Sequence, residues 1–371
     1  MNKTYCPSIH GGISINLTKD GRGVVKPCCE IFMPMVYIDS LTQPIFDHPE
    51  FLKRKQANDQ NQWDQGCNGC RAIEESGGYS YRQSQIDRFG TSNNKEHLAV
   101  LDLMYDTSCN LACRTCGPAS STYWQKHLKD NNIKLPAIQP QSHQNLSNTV
   151  LNTILTQRIK TVDQVKLSGG EPLMNPGYWN LLEQMINQMP GVFTNSELHV
   201  QTNGTHSLSK VHQNIFSKFR LVRISFSIDG IQSQFEYLRW PALWSQATDN
   251  ILKMRDTAPS NVMFNFEETI SIFNLFNRHR LPEWIANNIP TNRDGDPVIY
   301  NMHLAHGDFS VQNLSNEYAA AINYKFLPNN FVENHNNICA MIDKINQFDN
   351  LRQQNWLHAF PELAEFYIRF I

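Results

Sequence analysis

The sequence has no long apolar run. Its most apolar stretches, such as Ile31 to Ile38, are short and interrupted by proline, whereas crossing a bilayer takes about 20 consecutive apolar residues. An excess of charge is missing as well. Lys and Arg number 32 and Asp and Glu 34, for a net charge of −2 over 371 residues, so there is no general electrostatic footprint for nucleic acid. The N-terminus shows no basic region followed by an apolar stretch, which argues against an export signal. The expectation is therefore a cytoplasmic, reducing setting, where cysteines read as metal ligands rather than disulfides. Although Asn and Gln are plentiful, there is no low-complexity tract and no internal repeat.

What the chain does have is nine cysteines in an uneven arrangement. Cys109, Cys113 and Cys116 form CxxxCxxC directly after an apolar run, Leu98 to Tyr105, that reads as a strand. Three thiolates at this spacing can hold three corners of a [4Fe–4S] cubane and leave the fourth iron open. A second set is N-terminal: Cys6, the vicinal Cys28 and Cys29, and Cys67 with Cys70 in WDQGCNGC. Cys6, one of Cys28 and Cys29, Cys67 and Cys70 would supply four soft ligands without histidine. That set suits either structural zinc or a second iron–sulfur cluster. Cys339, in NNICAMIDKI, reads as a small buried hydrophobe.

From residue 98 onward strands and helices alternate. Strands are expected at 98–105, 162–168, 197–203, 221–228, 261–269 and 297–304, and helices near 118–130, 145–160, 176–189, 207–217, 236–256 and 272–288. Repeated strand–helix units make a parallel sheet, and six of them predict an α/β fold with a partial (β/α)6 TIM-like barrel. The polar, proline-containing segment from about 130 to 146 interrupts the first crossover as a lid, a substrate loop or a plain surface insertion. The expected organisation is a cysteine-rich module at 1–95, the barrel at 96–310 and a C-terminal helical extension at 311–371.

Alternation within the strands adds a prediction about the interior. Arg223, Ser225 and Ser227 share one face of LVRISFSI, opposite Val222, Ile224, Phe226 and Ile228. Gln164, Lys166 and Ser168, then His199, Gln201 and Asn203, then Asn265, Glu267 and Thr269, and finally Asn301 and His303 repeat the pattern. Period-2 alternation puts each set on one side of the sheet. Helices covering the outer face demand apolar residues there, so the polar sets should line a ligand-holding interior.

The ordered motifs CNLACRTC, SGGEP at 168–172, QTNG at 201–204 and SIDG at 227–230 fall at the ends of successive strands. In this combination the chain resembles the radical SAM superfamily over roughly 98–305. Thr115 stands where that family usually has an aromatic residue. The N-terminal set, CP…KPCC…CNGC, resembles the auxiliary-cluster modules called SPASM and twitch, placed before the barrel rather than after it.

The resemblance implies a [4Fe–4S] cluster on Cys109, Cys113 and Cys116 that binds S-adenosyl-L-methionine (SAM). It also implies one auxiliary [4Fe–4S] cluster on Cys6, Cys28, Cys67 and Cys70, with Cys29 as the alternate for Cys28. Gly169, Gly170, Glu171 and Pro172 would meet the methionine moiety. Ser225, Ser227, Asp229 and Asn203 would serve the ribose or carboxylate, and Arg223 or Arg239 would pair with SAM's carboxylate. Glu267, Tyr105 and His303, with His199 and His306 beside them, are candidate acid, base or substrate-binding groups. Trp240 and Trp244 read as packing, and the segment from Asn334, with Asp349, Arg352 and FPEL at 360–363, as helical closure.

The implied reaction is reductive SAM cleavage followed by hydrogen abstraction from a peptide, protein or small metabolite, with the auxiliary cluster assisting a net oxidation or rearrangement. A one-electron donor such as flavodoxin or ferredoxin would be the partner. The competing expectations are a nonenzymatic iron–sulfur or zinc scaffold with a decayed SAM site, and an RNA-base-modifying enzyme. Near-neutral charge counts against the latter.

Overall fold

The computed structural model describes residues 4–18, 22–31, 36–90, 96–134, 143–157, 159–292, 295–322, 333–367 and 370, and for 143–146 the backbone only. Its centre is one open sheet of nine strands. These are β1 (Gly12–Leu17), β2 (Gly23–Lys26), β3 (Val36–Tyr37), β4 (His97–Met104), β5 (Thr161–Leu167), β6 (Glu197–Thr202), β7 (Leu221–Ser227), β8 (Val262–Ile270) and β9 (Ile299–Leu304). Their order is β3-β2-β1-β4-β5-β6-β7-β8-β9. All six expected strands form, in sequence order and parallel from β4 to β9. The edges β3 and β9 do not pair, so the sheet is not a closed barrel.

The cysteine-rich segment is not detached from this sheet. β1 runs parallel to β4, with Ser14 opposite Asp102, and β2 returns antiparallel to β1. The apolar strand GISINL is what the sequence reading overlooked. Its Ile13 and Ile15 are fully buried because they extend the face that β4 presents to the helices. Helices Thr122–Asp130, His143–Leu155, Pro176–Gln188, Lys210–Phe216, Trp244–Thr257 and Arg280–Asn288 supply the crossovers. The expected helix at 236–256 is split into Ser233–Leu238 and Trp244–Thr257, and Pro241 lies between the two. Most of the 130–146 insertion lies outside the described residues.

Two cores result. The larger packs the apolar strand faces, including Val165, Leu167, Val200, Ile224 and Phe226, against the crossover helices. Burial of such side chains, at about 1.5–3 kcal/mol each, is what fixes the register. The second joins Trp124, Tyr237, Ile272 and Phe273 to the C-terminal helix His335–Arg352 and to Phe360 and Leu363. It stands where closure was expected.

The polar residues occupy the other face, where they bond one another across neighbouring strands. His199 Nε2 meets Ser225 Oγ at 2.8 Å, Gln201 donates to Ser227 at 3.2 Å, and Ser225 donates to Glu267 at 3.3 Å. Among the described residues no helix is long and apolar enough to cross a membrane.

Candidate active site

At the C-terminal ends of the strands lies a cavity of about 500 Å³. Cys109, Cys113 and Cys116 line it together with Ser168, Gly169, Gly170, Gln201, Asn203, Ser227, Thr115 and Arg239. This is where parallel α/β sheets place ligands. Four separated sequence motifs therefore meet at one opening.

The loop that presents the thiols is held by its backbone. Ala112 N–H donates to Trp240 O at 2.7 Å, and Arg114 N–H to Leu238 O at 2.7 Å. That ladder delivers Arg239 to the cavity beside Cys113 and Cys116. From the other side Glu171 N–H donates to Ser108 O at 2.7 Å. Asn203 Nδ2 donates to Asn110 Oδ1 at 3.0 Å, and Asn110 Nδ2 to Thr205 Oγ1 at 2.9 Å.

The two glycines sit against neighbouring stretches of chain, Gly169 against Met104 and Asp106 O and Gly170 against Ser108 O. Gly169 and Gly170 have φ of +80° and +54°, and a Cβ on Gly170 would lie 2.4 Å from Ser108 O. Residues 104–108, which lead into the cysteine loop, therefore already fill the space a Cβ would need at either glycine.

Several expected cofactor contacts stand behind the cavity wall. Glu171 is fully buried, and its carboxylate accepts from Thr202 Oγ1 at 2.7 Å, Asn203 N–H at 2.7 Å and Leu173 N–H at 3.1 Å. Burial pushes this carboxyl up to about 7. It clamps the SGGEP and QTNG turns together, which differs from the expected contact with an ammonium group. Pro172 starts a short 3-10 turn and is buried.

Asp229 accepts from Thr269 N–H at 2.8 Å and pairs with Arg239 at 2.9 Å, so its carboxylate orients the guanidinium instead of facing a ribose. Ser225 is enclosed by His199 and Glu267. Arg223 is committed to Glu197 and Asn265 at 3.3 and 3.2 Å. Of the two arginines only Arg239 reaches the cavity.

The candidate acid–base residues also separate. Glu267 and His303 meet at 2.7 Å on the polar sheet face, and Asn301 donates to the same carboxylate at 3.0 Å. The hydrogen bond to Glu267 raises His303, and the partners of Glu267 outweigh its burial and lower it. Burial, reinforced by Lys166, holds His199 down to about 3, so it is a neutral hydrogen-bonding group. Tyr105 points elsewhere: its hydroxyl meets Ser147 at 3.3 Å and its ring packs edge-on against Tyr178. It is buried in the core and is not among the residues lining the cavity. Trp240 and Trp244 pack against aromatic neighbours, as expected.

A second, small cavity gathers the N-terminal thiols. Cys6, Cys28, Cys67 and Cys70 line it with Trp63, Tyr81 and Arg82. Burial raises Cys67 to about 12, and Cys6 and Cys70 add to that shift. Such mutual effects mark thiols crowded around one site. Arg82 supplies a nearby cation and is anchored by Glu74 at 2.5 Å. Cys29 lines the larger cavity, with its thiol still within hydrogen-bonding reach of Cys28. A single peptide bond thus separates a thiol of one cavity from a thiol of the other.

Both thiol sets fit clusters by their chemistry. Among the described residues no three thiol, imidazole or carboxylate groups converge on one point where a single ion would sit. A cubane needs no such convergence, since each thiolate binds a different iron.

Sequence reasoning missed Asp102, Arg114 and Glu268. The signal for Asp102 was a lone carboxylate in the apolar run LAVLDLM. Arg114 lies within CRTC, and its partner Asp349 is 235 residues away. Glu268 alternates with the polar set and sits on the opposite face, buried and raised to about 8 by desolvation.

Residues 99–236 match the family model described as a 4Fe-4S single cluster domain. That stretch contains the cysteine triplet, SGGEP, QTNG and SIDG, which meet around one cavity. No curated protein is matched by the chain. Among solved structures it is similar to native anSMEcpe with bound AdoMet, at 13% identity, covering 70% of this chain and 63% of that one, TM-score 0.40. It is also similar to Streptococcus suis SuiB bound to S-adenosylmethionine, at 11% identity, covering 95% and 73%, TM-score 0.36. The chain therefore spans less than two thirds of the length of anSMEcpe. Likenesses this distant carry no weight in the functional argument.

Proposed function

We propose that the chain is a radical SAM enzyme with an auxiliary iron–sulfur cluster, acting on a peptide, a protein or a small metabolite. The observation that carries this reading is the meeting of three thiols, Gly169, Gly170, Asn203, Ser227 and Arg239 at one cavity. Cys109, Cys113 and Cys116 would hold a [4Fe–4S] cluster there, and Cys6, Cys28, Cys67 and Cys70 the auxiliary one. When bound and reduced, the first cluster with SAM supplies a 5′-deoxyadenosyl radical able to abstract hydrogen from carbon.

The chain's own residues bind and orient. Arg239, fixed by Asp229, presents a guanidinium suited to a carboxylate. Ser227 offers a hydroxyl to the cavity, and Asn203, held by Asn110 and Thr205, shapes its wall. Glu267 and His303 form a proton-holding pair on the same sheet face. For the N-terminal set, four thiols without a histidine suit a cluster or one tetrahedral zinc, and iron and sulfide analysis separates the two.

The test is anaerobic reconstitution with iron and sulfide, reduction by dithionite and assay of SAM for conversion to 5′-deoxyadenosine. Conversion that disappears in Cys109→Ala supports the reading. A scaffold without SAM chemistry would show no conversion in the parent protein.

A further inference from the structure

The SAM-facing cavity contains a charged couple that the reading above leaves unused. Asp102 on β4 and Lys166 on β5 are register partners, and both line the cavity. Neighbouring opposite charges ordinarily close an ion pair, yet these do not. Among the described residues Lys166 has no ion pair within 4.0 Å and no hydrogen bond. Its ammonium feels Asp102 and Cys29 as attractive charges without touching either.

Asp102 is 4% exposed. One carboxylate oxygen accepts from Ser14 Oγ at 2.9 Å, while the other, Oδ1, is buried without a partner. Ser14 is steadied in turn by Asn16 Nδ2 at 2.8 Å. Leaving a buried carboxylate oxygen without a hydrogen-bond donor is destabilising. Such an oxygen persists where something else completes it. Cys29 and Glu30 of the N-terminal segment line the same cavity and act on Lys166 as nearby negative charges.

We infer that Asp102 and Lys166 form a substrate subsite for the backbone of an amino acid. An N–H or ammonium group would donate to Asp102 Oδ1, and a carbonyl or carboxylate oxygen would accept from Lys166. Such a ligand fills both vacancies at once and inserts into the couple with no net change of charge. Free amino acids and peptide segments share this chemistry. The inference rests on the radical SAM reading for its role and on geometry alone for its binding.

The test is saturation-transfer NMR on the anaerobically reconstituted protein. One arm uses a mixture of the free amino acids, the other a mixture of N-acetyl amino acid N-methylamides as peptide mimics. Binding in the first arm assigns a free amino acid, and binding in the second a peptide. In either case Lys166→Met and Asp102→Asn should lower the signal about tenfold or more, and Lys166→Arg should restore much of it.

The same samples are examined by electron paramagnetic resonance of the reduced cluster with and without SAM. A SAM-induced change that survives in both variants shows that fold and cofactor site are intact. Absence of binding in both arms, or equal binding by parent and variants, overturns the subsite. Absence of any SAM effect in the parent overturns the radical SAM reading and leaves the binding result standing by itself.

Discussion

Arg114, between the second and third cysteines of the triplet, donates from Nη2 to Asp349 of the C-terminal helix at 2.5 Å. The pair is buried, with side-chain exposures of 0% and 8%. Tyr237 Oη and Trp356 N–H also donate to Asp349, at 2.9 and 2.7 Å. The helix His335–Arg352 is thereby joined to the loop that presents the thiols.

Breaking that joint leaves a buried cation uncompensated, which typically costs about 3–5 kcal/mol. Asp349→Ala is expected to destabilise the apoprotein by this order, read from the midpoint of chemical denaturation. A loss below about 1 kcal/mol would show that the joint carries little of the fold.

Gly170→Ala should be more harmful than its size suggests. The added Cβ meets Ser108 O at 2.4 Å with φ at +54°. Neither backbone can yield without moving the cysteine loop. The expected loss is on the order of 1–3 kcal/mol, accompanied by reduced iron retention in a chelator challenge.

Cys28 and Cys29 should respond differently. Cys28→Ser is expected to lower iron and sulfide by about one cubane, about four of each, because Cys28 shares a cavity with Cys6, Cys67 and Cys70. Cys29→Ser should retain both clusters, since Cys29 faces the other cavity. Elemental analysis decides, and equal losses would contradict the assignment.

The Glu267–His303 pair sets a pH signature. His303 is raised, so its contribution is full below the unfolded value of 6.5 and fades as pH rises through the folded value. Glu267 is lowered, so its contribution is present above 4.5 and fades as pH falls through its folded value. The window therefore lies from about 4.5 to somewhat above 6.5. In Glu267→Gln the imidazole of His303 should titrate at lower pH than in the parent, by NMR. An unmoved midpoint would show that the carboxylate does not hold the proton.

Much of this was legible in the residues themselves, for local reasons. LVRISFSI and VMFNFEET announce their faces by strict alternation, and the six strands β4 to β9 lie where that pattern puts them. The four motifs end successive strands, so their convergence followed from a parallel sheet. Long-range partnership was not legible. Nothing in CRTC names Asp349, and nothing in SGGEP reveals that Glu171 is saturated by the Thr202 and Asn203 groups. Tyr105 ends a strand whose next side chain turns to the opposite face, and only packing against Tyr178 shows that it leaves the cavity. GISINL also alternates, Ile13, Ile15 and Leu17 against Ser14 and Asn16, but it is short and lies outside the repeated strand–helix units, so it was overlooked.

The most direct measurement of the central claim is SAM turnover by the reconstituted, dithionite-reduced protein, compared with Cys109→Ala, Cys113→Ala and Cys116→Ala. The account predicts 5′-deoxyadenosine from the parent protein and none above background from each variant. Turnover that persists without any one of these thiols, or no turnover by a parent protein carrying its full iron, would contradict it.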